Sequence, residues 1–200
     1  MADARDEMVW TNHAVEQWET NREPHQINDD SILRSWLLGI KGEVNKVLDY
    51  GCGGGLWWNL FEGFDYYGYD QNENMIAHAR KRFPADAYRF VSSRWENPPF
   101  SESEFDLIFT SAVLQHNRHV DKEKVMPELV RIIRPGGYLM CTENTFREDN
   151  YRTTFPREPE WHENLDDGYS FTKSGWEKYM ARFGLKLVAF ETPSEYLYVK

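Results

Sequence analysis

Two hundred residues, 40% of them hydrophobic and 16% aromatic, are enough for one well-packed core and too few for two ordinary domains. A single domain spanning 1–200 is therefore expected. With 33 acidic against 23 basic residues the net charge is −10, which repels nucleic acid and favours a small-molecule partner, an amine-bearing one included. Only two cysteines, no apolar run near the ~18 residues of a membrane span, and a charged opening from Met1 to Glu7 argue against a disulfide framework, a membrane protein and a secretory leader, which implies a cytoplasmic chain. Neither Cys52 nor Cys141 has Cys or His neighbours at metal-ligand spacing, so no metal is expected.

In chain order, residues 1–30 carry His13 and Trp18 among many polar groups and lie ahead of the scaffold. Asp30 or Ser31 is placed to cap a helix through Trp36 and Leu38. A strand over 46–50 then runs into Gly51-Cys52-Gly53-Gly54-Gly55, where alternating glycines let the backbone turn sharply and approach a ligand without a Cβ in the way. This loop is expected to open a helix. A dinucleotide fingerprint needs a third glycine where Leu56 stands, and no Lys-Ser or Lys-Thr pair of a P-loop follows, so the ligand is not a bound pyrophosphate.

A second strand over 65–69 ends at Asp70. In doubly wound sheets a carboxylate at this point accepts hydrogen bonds from both hydroxyls of an adenosine ribose. The helix opened by Asn72-Glu73-Asn74 sets Met75 beside the adenine, with Gln71 at the same edge. Strands follow over 87–91, 106–110 and 138–142, a helix begins at Asp121 and runs to Ile133, and Arg80-Lys81-Arg82 with Arg131 and Arg134 fall at helix ends, where cations complement the helix dipole. Residues 146–171 form a long Pro-, Glu- and aromatic-rich insertion. Ser174-Gly175-Trp176-Glu177 has the form of a capping box for a helix ended by Gly184. Strands over 185–191 and 195–200 are separated only by Thr192-Pro193-Ser194, too short for a crossover, so they form an antiparallel hairpin.

Four blocks, Val47–Gly55, Tyr67–Asp70, Phe105–His116 and Leu129–Met140, match in order and spacing the class I S-adenosylmethionine-dependent methyltransferases, which the chain resembles. The resemblance implies a Rossmann-like, doubly wound α/β sheet of seven strands, order 3-2-1-4-5-7-6, with strand seven antiparallel and helices on both faces. It implies S-adenosyl-L-methionine as cofactor and S-adenosyl-L-homocysteine as product. Asp49 and the Gly51 carbonyl then face the cofactor's amino group, Cys52, Gly53 and Gly55 line the seat, and Ser111, Ala112 and His116 pass its methionyl part. Where the family often has an adenine-binding Asp, this chain reads Ser92-Ser93-Arg94-Trp95, so Trp95 stacking and Ser93 or the Arg94 backbone take that place.

Methyl transfer is an in-line displacement that needs alignment and dryness rather than a covalent enzyme intermediate, in keeping with the lack of a Ser-His-Asp or Cys-His constellation. His116 and the pair Glu143-Asn144 fall at the carboxyl edge of the sheet, where a neutral His can take a proton and Asn with Glu can orient an amine or hydroxyl. Residues 1–30 and 146–171 are expected to cap the acceptor, with His13, Trp18, Trp161, His162 and Asp167 facing it. The expected activity is methyl transfer to N or O of a small molecule. Its alternatives are methylation of a protein N-terminal α-amine, to which Gln115-His116, Thr142-Glu143-Asn144 and Leu165-Asp166-Asp167 bear a faint likeness, and a noncatalytic S-adenosylmethionine-binding module. An NAD-dependent oxidoreductase is disfavoured by Leu56 and by the missing Tyr-x-x-x-Lys pair.

Overall fold

A computed structural model describes residues 30–95, 97–114, 119–143, 173–191 and 195–200. Seven strands form one sheet: β1 (Lys46–Tyr50), β2 (Asp65–Tyr69), β3 (Phe90–Val91), β4 (Phe105–Ser111), β5 (Ile133–Thr142), β6 (Lys186–Glu191) and β7 (Glu195–Val199). Their order is 3-2-1-4-5-7-6 as expected, with β7 antiparallel to both β5 and β6 and the other neighbours parallel. The central strand β4 shows why the sheet is covered twice: Leu107, Ile108, Phe109 and Thr110 are all fully buried, an unbroken run that only layers on both faces can bury.

Among the described residues four α-helices supply those layers: α1 (Ser31–Ile40), α2 (Glu73–Arg82), α3 (His119–Ile132) and α4 (Lys173–Ala181). Leu33, Leu37 and Ile40 of α1 and Ile76 and Ala79 of α2 join Val47, Leu107 and Phe109 on one face. Val125, Met126 and Leu129 of α3 and Trp176, Tyr179 and Met180 of α4 join Leu48, Ile108 and Leu139 on the other. Each such fully buried aliphatic or aromatic side chain contributes roughly 1.5–3 kcal/mol.

Several local expectations are corrected. The glycine loop does not open an α-helix; it leads into a single 3₁₀ turn over Trp58–Phe61. Adjacent Trp57 and Trp58 send their rings apart, Trp57 against Phe109 (5.4 Å between centroids) and Trp58 against Tyr66 and Phe83 (5.0 and 4.9 Å), and Gly63 at φ +89° turns the chain toward β2. The third strand is only Phe90–Val91, because Pro84 starts a 3₁₀ stretch over Pro84–Arg89 that takes up most of the expected span. β5 begins early, at Ile133, with a register shift opposite Phe105 and Leu107 that lets Arg134-Pro135-Gly136-Gly137 bulge. Arg134 therefore sits in that bulge, paired with Asp106 at 2.5 Å, and not at a helix end.

Asp30 makes no cap bond to α1; its carboxylate pairs with Arg34 at 2.8 Å instead. Helix α3 starts at His119 rather than Asp121. Ser174 lies inside α4, which begins at Lys173, so it cannot be that helix's N-cap. Asn72 does cap α2, its side-chain oxygen accepting from the Asn74 and Met75 amides (2.9 and 3.3 Å). Gly184, at φ +78°, closes the turn after α4. The hairpin tip, 192–194, lies outside the described residues.

Candidate functional site

The carboxyl ends of β1, β2 and β4 lie side by side, and the loops leaving them meet there. After β1 the amides of Gly51 and Cys52 both donate to the Tyr69 carbonyl (2.7 and 2.9 Å), which latches the glycine loop to the end of β2. The Gly53 amide donates to Asp70 Oδ2 (3.0 Å) and the Asn72 amide to Asp70 Oδ1 (2.8 Å). Asp70 is thus a strut between the loop and the start of α2. Each of its oxygens keeps a lone pair, so the carboxylate can still accept from a vicinal diol. Burial raises its pKa, and the two amide hydrogen bonds act against that rise.

Gly51 is a glycine of necessity: it sits at φ +81°, and a Cβ there would lie 2.3 Å from Val113 Cγ2. Gly68 answers a second constraint, since its Cβ would fall 2.7 Å from Phe90 Cδ1 and 2.9 Å from Cys52 Sγ. Cys52 is buried, its Sγ 3.4 Å from the Gly53 carbonyl.

Asp49 is the most unusual group. Its carboxyl is 1% exposed, Oδ2 accepts from the Tyr66 hydroxyl at 2.8 Å, and Oδ1 has no hydrogen-bond partner. Burial pushes its pKa up to about 7, the Tyr66 hydrogen bond pulls it down, and the nearby Asp70 carboxylate adds to the rise. A buried carboxylate oxygen without a donor costs free energy until a donor or cation arrives.

Beside Asp70 opens a cleft of about 410 Å³ lined by Gln71, Glu73, Ser92, Ser93, Arg94 and Trp95. Four of these, Gln71, Ser93, Arg94 and Trp95, were expected on cofactor grounds; Glu73 and Ser92 were not. The Tyr69 hydroxyl donates to the Ser93 carbonyl (3.1 Å) and fixes that wall. Met75, expected at the adenine edge, is 4% exposed. After β4, Ser111 Oγ accepts from Thr142 Oγ1 (2.8 Å), and Ala112 adopts a left-handed φ of +54° with its amide on the Thr142 carbonyl (2.9 Å).

Glu143, expected to orient an acceptor together with Asn144, directly follows β5. It is 1% exposed, and Oε1 accepts from Thr110 Oγ1 and from the Val113 and Leu114 amides at 3.0, 3.2 and 3.1 Å. His116 and Asn144, and His13, Trp18, Trp161, His162 and Asp167, lie outside the described residues. Sequence reasoning missed Tyr66, although the period of two along β2 places it on the face of Gly68, next to Asp49 across the β1–β2 pair. Among the described residues no group of three or more His, Cys, Asp or Glu could hold a metal ion, and no helix is long and apolar enough to cross a membrane.

The seat fits an adenosyl amino acid. It pairs an orphaned buried acceptor at Asp49 with a Cβ-free loop and a carboxylate beside a cleft. Comparison with known proteins agrees. Residues 48–141 match a family model described as a methyltransferase domain. A fatty-acid O-methyltransferase of Mycolicibacterium smegmatis is 26% identical over 172 residues, 81% of this chain and 59% of the relative. A phthiotriol/phenolphthiotriol dimycocerosates methyltransferase of Mycobacterium tuberculosis is 27% identical over 143 residues, 66% of this chain and 52% of the relative. The chain thus spans a little over half the length of these curated relatives. In three dimensions it is similar to a DhpI–SAM–HEP complex, with TM-score 0.69 and 19% identity, covering 94% of this chain and 93% of that one. The methyltransferase-domain match thus spans residues 48–141, and the fold around it is the Rossmann-like fold of the class I S-adenosylmethionine-dependent methyltransferases.

Proposed function

We propose that the protein, as a single cytoplasmic domain, moves a methyl group from S-adenosylmethionine to N or O of a small-molecule acceptor. The observation that carries this reading is Asp49: a fully buried carboxylate oxygen with no donor, at the carboxyl edge of β1 beside a glycine loop, is a receptor for a cationic amino group. In this reading Asp49 and the Gly51 carbonyl hold the cofactor's amino group, and Asp70 holds the ribose diol. Gln71, Met75, Ser93, Arg94 and Trp95 surround the adenine. Cys52, Gly53, Gly55, Ser111 and Ala112 line the methionyl part. S-adenosylmethionine supplies the methyl group when bound. The chain's own residues have then to align the acceptor, exclude water and, for a protonated nucleophile, accept a proton.

We assign the proton to His116 and the alignment of the acceptor to Asn144, which follow β4 and β5 in the sequence. The segments 1–30 and 146–171 act as acceptor caps through His13, Trp18, Trp161, His162 and Asp167. The net charge of −10 favours a neutral or amine-bearing acceptor over a polyanion. Similarity to a fatty-acid O-methyltransferase supports the oxygen arm.

The test uses S-adenosylmethionine labelled in its methyl group and a panel of fatty acids, hydroxylated lipids, small amines and a peptide with a free N-terminus. Label is expected in a small molecule, with turnover falling at least tenfold in His116→Ala or Asn144→Ala while cofactor affinity stays constant. Unchanged turnover in both variants removes these residues from the mechanism. Label only in the peptide replaces the small-molecule reading, and cofactor binding without transfer to any acceptor identifies a noncatalytic module.

A further inference from the structure

Glu143 directly follows β5, at the point from which the chain continues toward the proposed acceptor cap, yet its carboxylate is buried in the fold. A base or an orienting group needs a lone pair aimed at the acceptor. Here one buried oxygen already takes three donors: the Thr110 hydroxyl and the Val113 and Leu114 amides. What those bonds hold is the turn leaving β4. Ala112 sits there in the left-handed region, which is unfavourable for a residue with a Cβ and persists only where neighbours fix it. The Thr142 carbonyl holds its amide, and the Thr142 hydroxyl donates to Ser111.

The turn in its place puts Val113 against Gly51. A Cβ built on Gly51 would lie 2.3 Å from Val113 Cγ2, so the valine covers the one face of Gly51 that lacks a side chain. Two residues on, the Gly53 amide is held by Asp70. A continuous path of contacts therefore runs from Glu143 through the Val113 amide and side chain to the loop that carries the cofactor. We infer that Glu143 is a positioning residue of the cofactor seat, holding Val113 over Gly51 and thereby setting the gap between the β1 and β4 loops in which the cofactor's amino-acid part lies. This rests on the seat assigned above. It also ties that gap directly to the strand end that leads into the proposed acceptor cap.

Glu143→Asp and Glu143→Gln separate position from charge. The Thr110 hydroxyl and the Val113 and Leu114 amides converge on one oxygen, which glutamine retains and aspartate withdraws by one methylene. S-adenosylhomocysteine titrations by calorimetry, with thermal melts of the same samples, give the readout. Glu143→Asp is expected to weaken binding by about tenfold, while Glu143→Gln stays within about threefold of the wild-type protein. Val113→Ala, which keeps the backbone bond to Glu143 and trims the side chain's contacts with Gly51 and with the core beside it, is expected to weaken binding by the folded protein about threefold with only a small fall in melting temperature.

A purely structural Glu143 would lower the melting temperature of Glu143→Asp and leave the affinity of the folded protein alone; that result overturns the inference. Equal losses in Glu143→Asp and Glu143→Gln overturn it as well, by pointing to charge instead of position. Wild-type protein that binds no S-adenosylhomocysteine overturns the cofactor seat and this inference together, whereas wild-type binding matched by Glu143→Asp and Val113→Ala overturns this inference alone.

Discussion

Asp70→Ala is expected to weaken S-adenosylhomocysteine binding by about a hundredfold or more while the protein stays folded. Two effects add. In the proposed seat the carboxylate accepts both ribose hydroxyls, and hydrogen bonds to a charged acceptor contribute roughly 1.5–3 kcal/mol each. The same carboxylate holds the Gly53 amide at 3.0 Å and the Asn72 amide at 2.8 Å, so its loss also frees the glycine loop from the start of α2. Together these reach about 3 kcal/mol or more, which is a hundredfold in affinity. Stability should change little, because removing a carboxylate whose pKa is raised by burial relieves a desolvation cost that offsets the two lost amide bonds. Calorimetry with a parallel melt checks both halves. Affinity unchanged in a folded Asp70→Ala protein would remove Asp70 from the seat.

Asp49 should make the cofactor-free protein lose stability as pH rises from about 4 to about 7. The sign follows from linkage: the folded pKa of about 7 lies above the ordinary 3.8, so across that interval the folded state keeps a proton that the unfolded chain has released. Stability from this group is complete below the ordinary value, declines through the interval and levels off above about pH 7. Holding the bare charge there costs about 4 kcal/mol, to order of magnitude. Asp49→Asn removes the dependence, so its melting temperature should gain on the wild type between pH 5 and pH 7 and hold a constant lead above. Ligand binding should move the other way. A bound ammonium stabilises the carboxylate, so wild-type affinity for S-adenosylhomocysteine rises from pH 5.5 to pH 7.5. In Asp49→Asn it is expected to be at least tenfold weaker and flat across the same range. A melting-temperature difference that does not vary with pH would show that Asp49 is not protonated in the fold. The groups that set this behaviour are few: Tyr66 as donor, and Asp70 as the neighbouring charge.

What could be read from the chain is what depends on neighbours in sequence. The strand Lys46–Tyr50 is an apolar run stopped by glycines, β2 ends in a carboxylate, and α2 opens on an Asn cap. All three stand where their residues place them. Parallel order and the terminal hairpin followed from connection lengths and from family likeness. Misplaced elements are those in which tertiary contacts override a local pattern. Trp57 and Trp58 would suit a buried helix, yet each ring finds a different aromatic partner, and one 3₁₀ turn is the result. Asp30 has the right residue type for a cap but a stronger partner in Arg34. Pro84 shortens the third strand to two residues.

In the proposed site, the glycines, Asp49 and Asp70 stand out by their spacing in the sequence. The partner of Asp49 did not, because Tyr66 reaches it across a strand pair whose register is set by folding. The donors around Glu143 were hidden for the same reason. Its place after β5 says that it lies at the active edge. Only the register of β4 against β5, Thr110 beside Cys141 and Ser111 beside Thr142, brings it beneath the amides of Val113 and Leu114.

The central claim is that this edge of the sheet is an S-adenosylmethionine seat. Calorimetric titration of the full chain with S-adenosylmethionine and S-adenosylhomocysteine at pH 7.5 tests it most directly. Saturable binding of both at micromolar concentration is expected. A well-folded protein that takes up neither would contradict it.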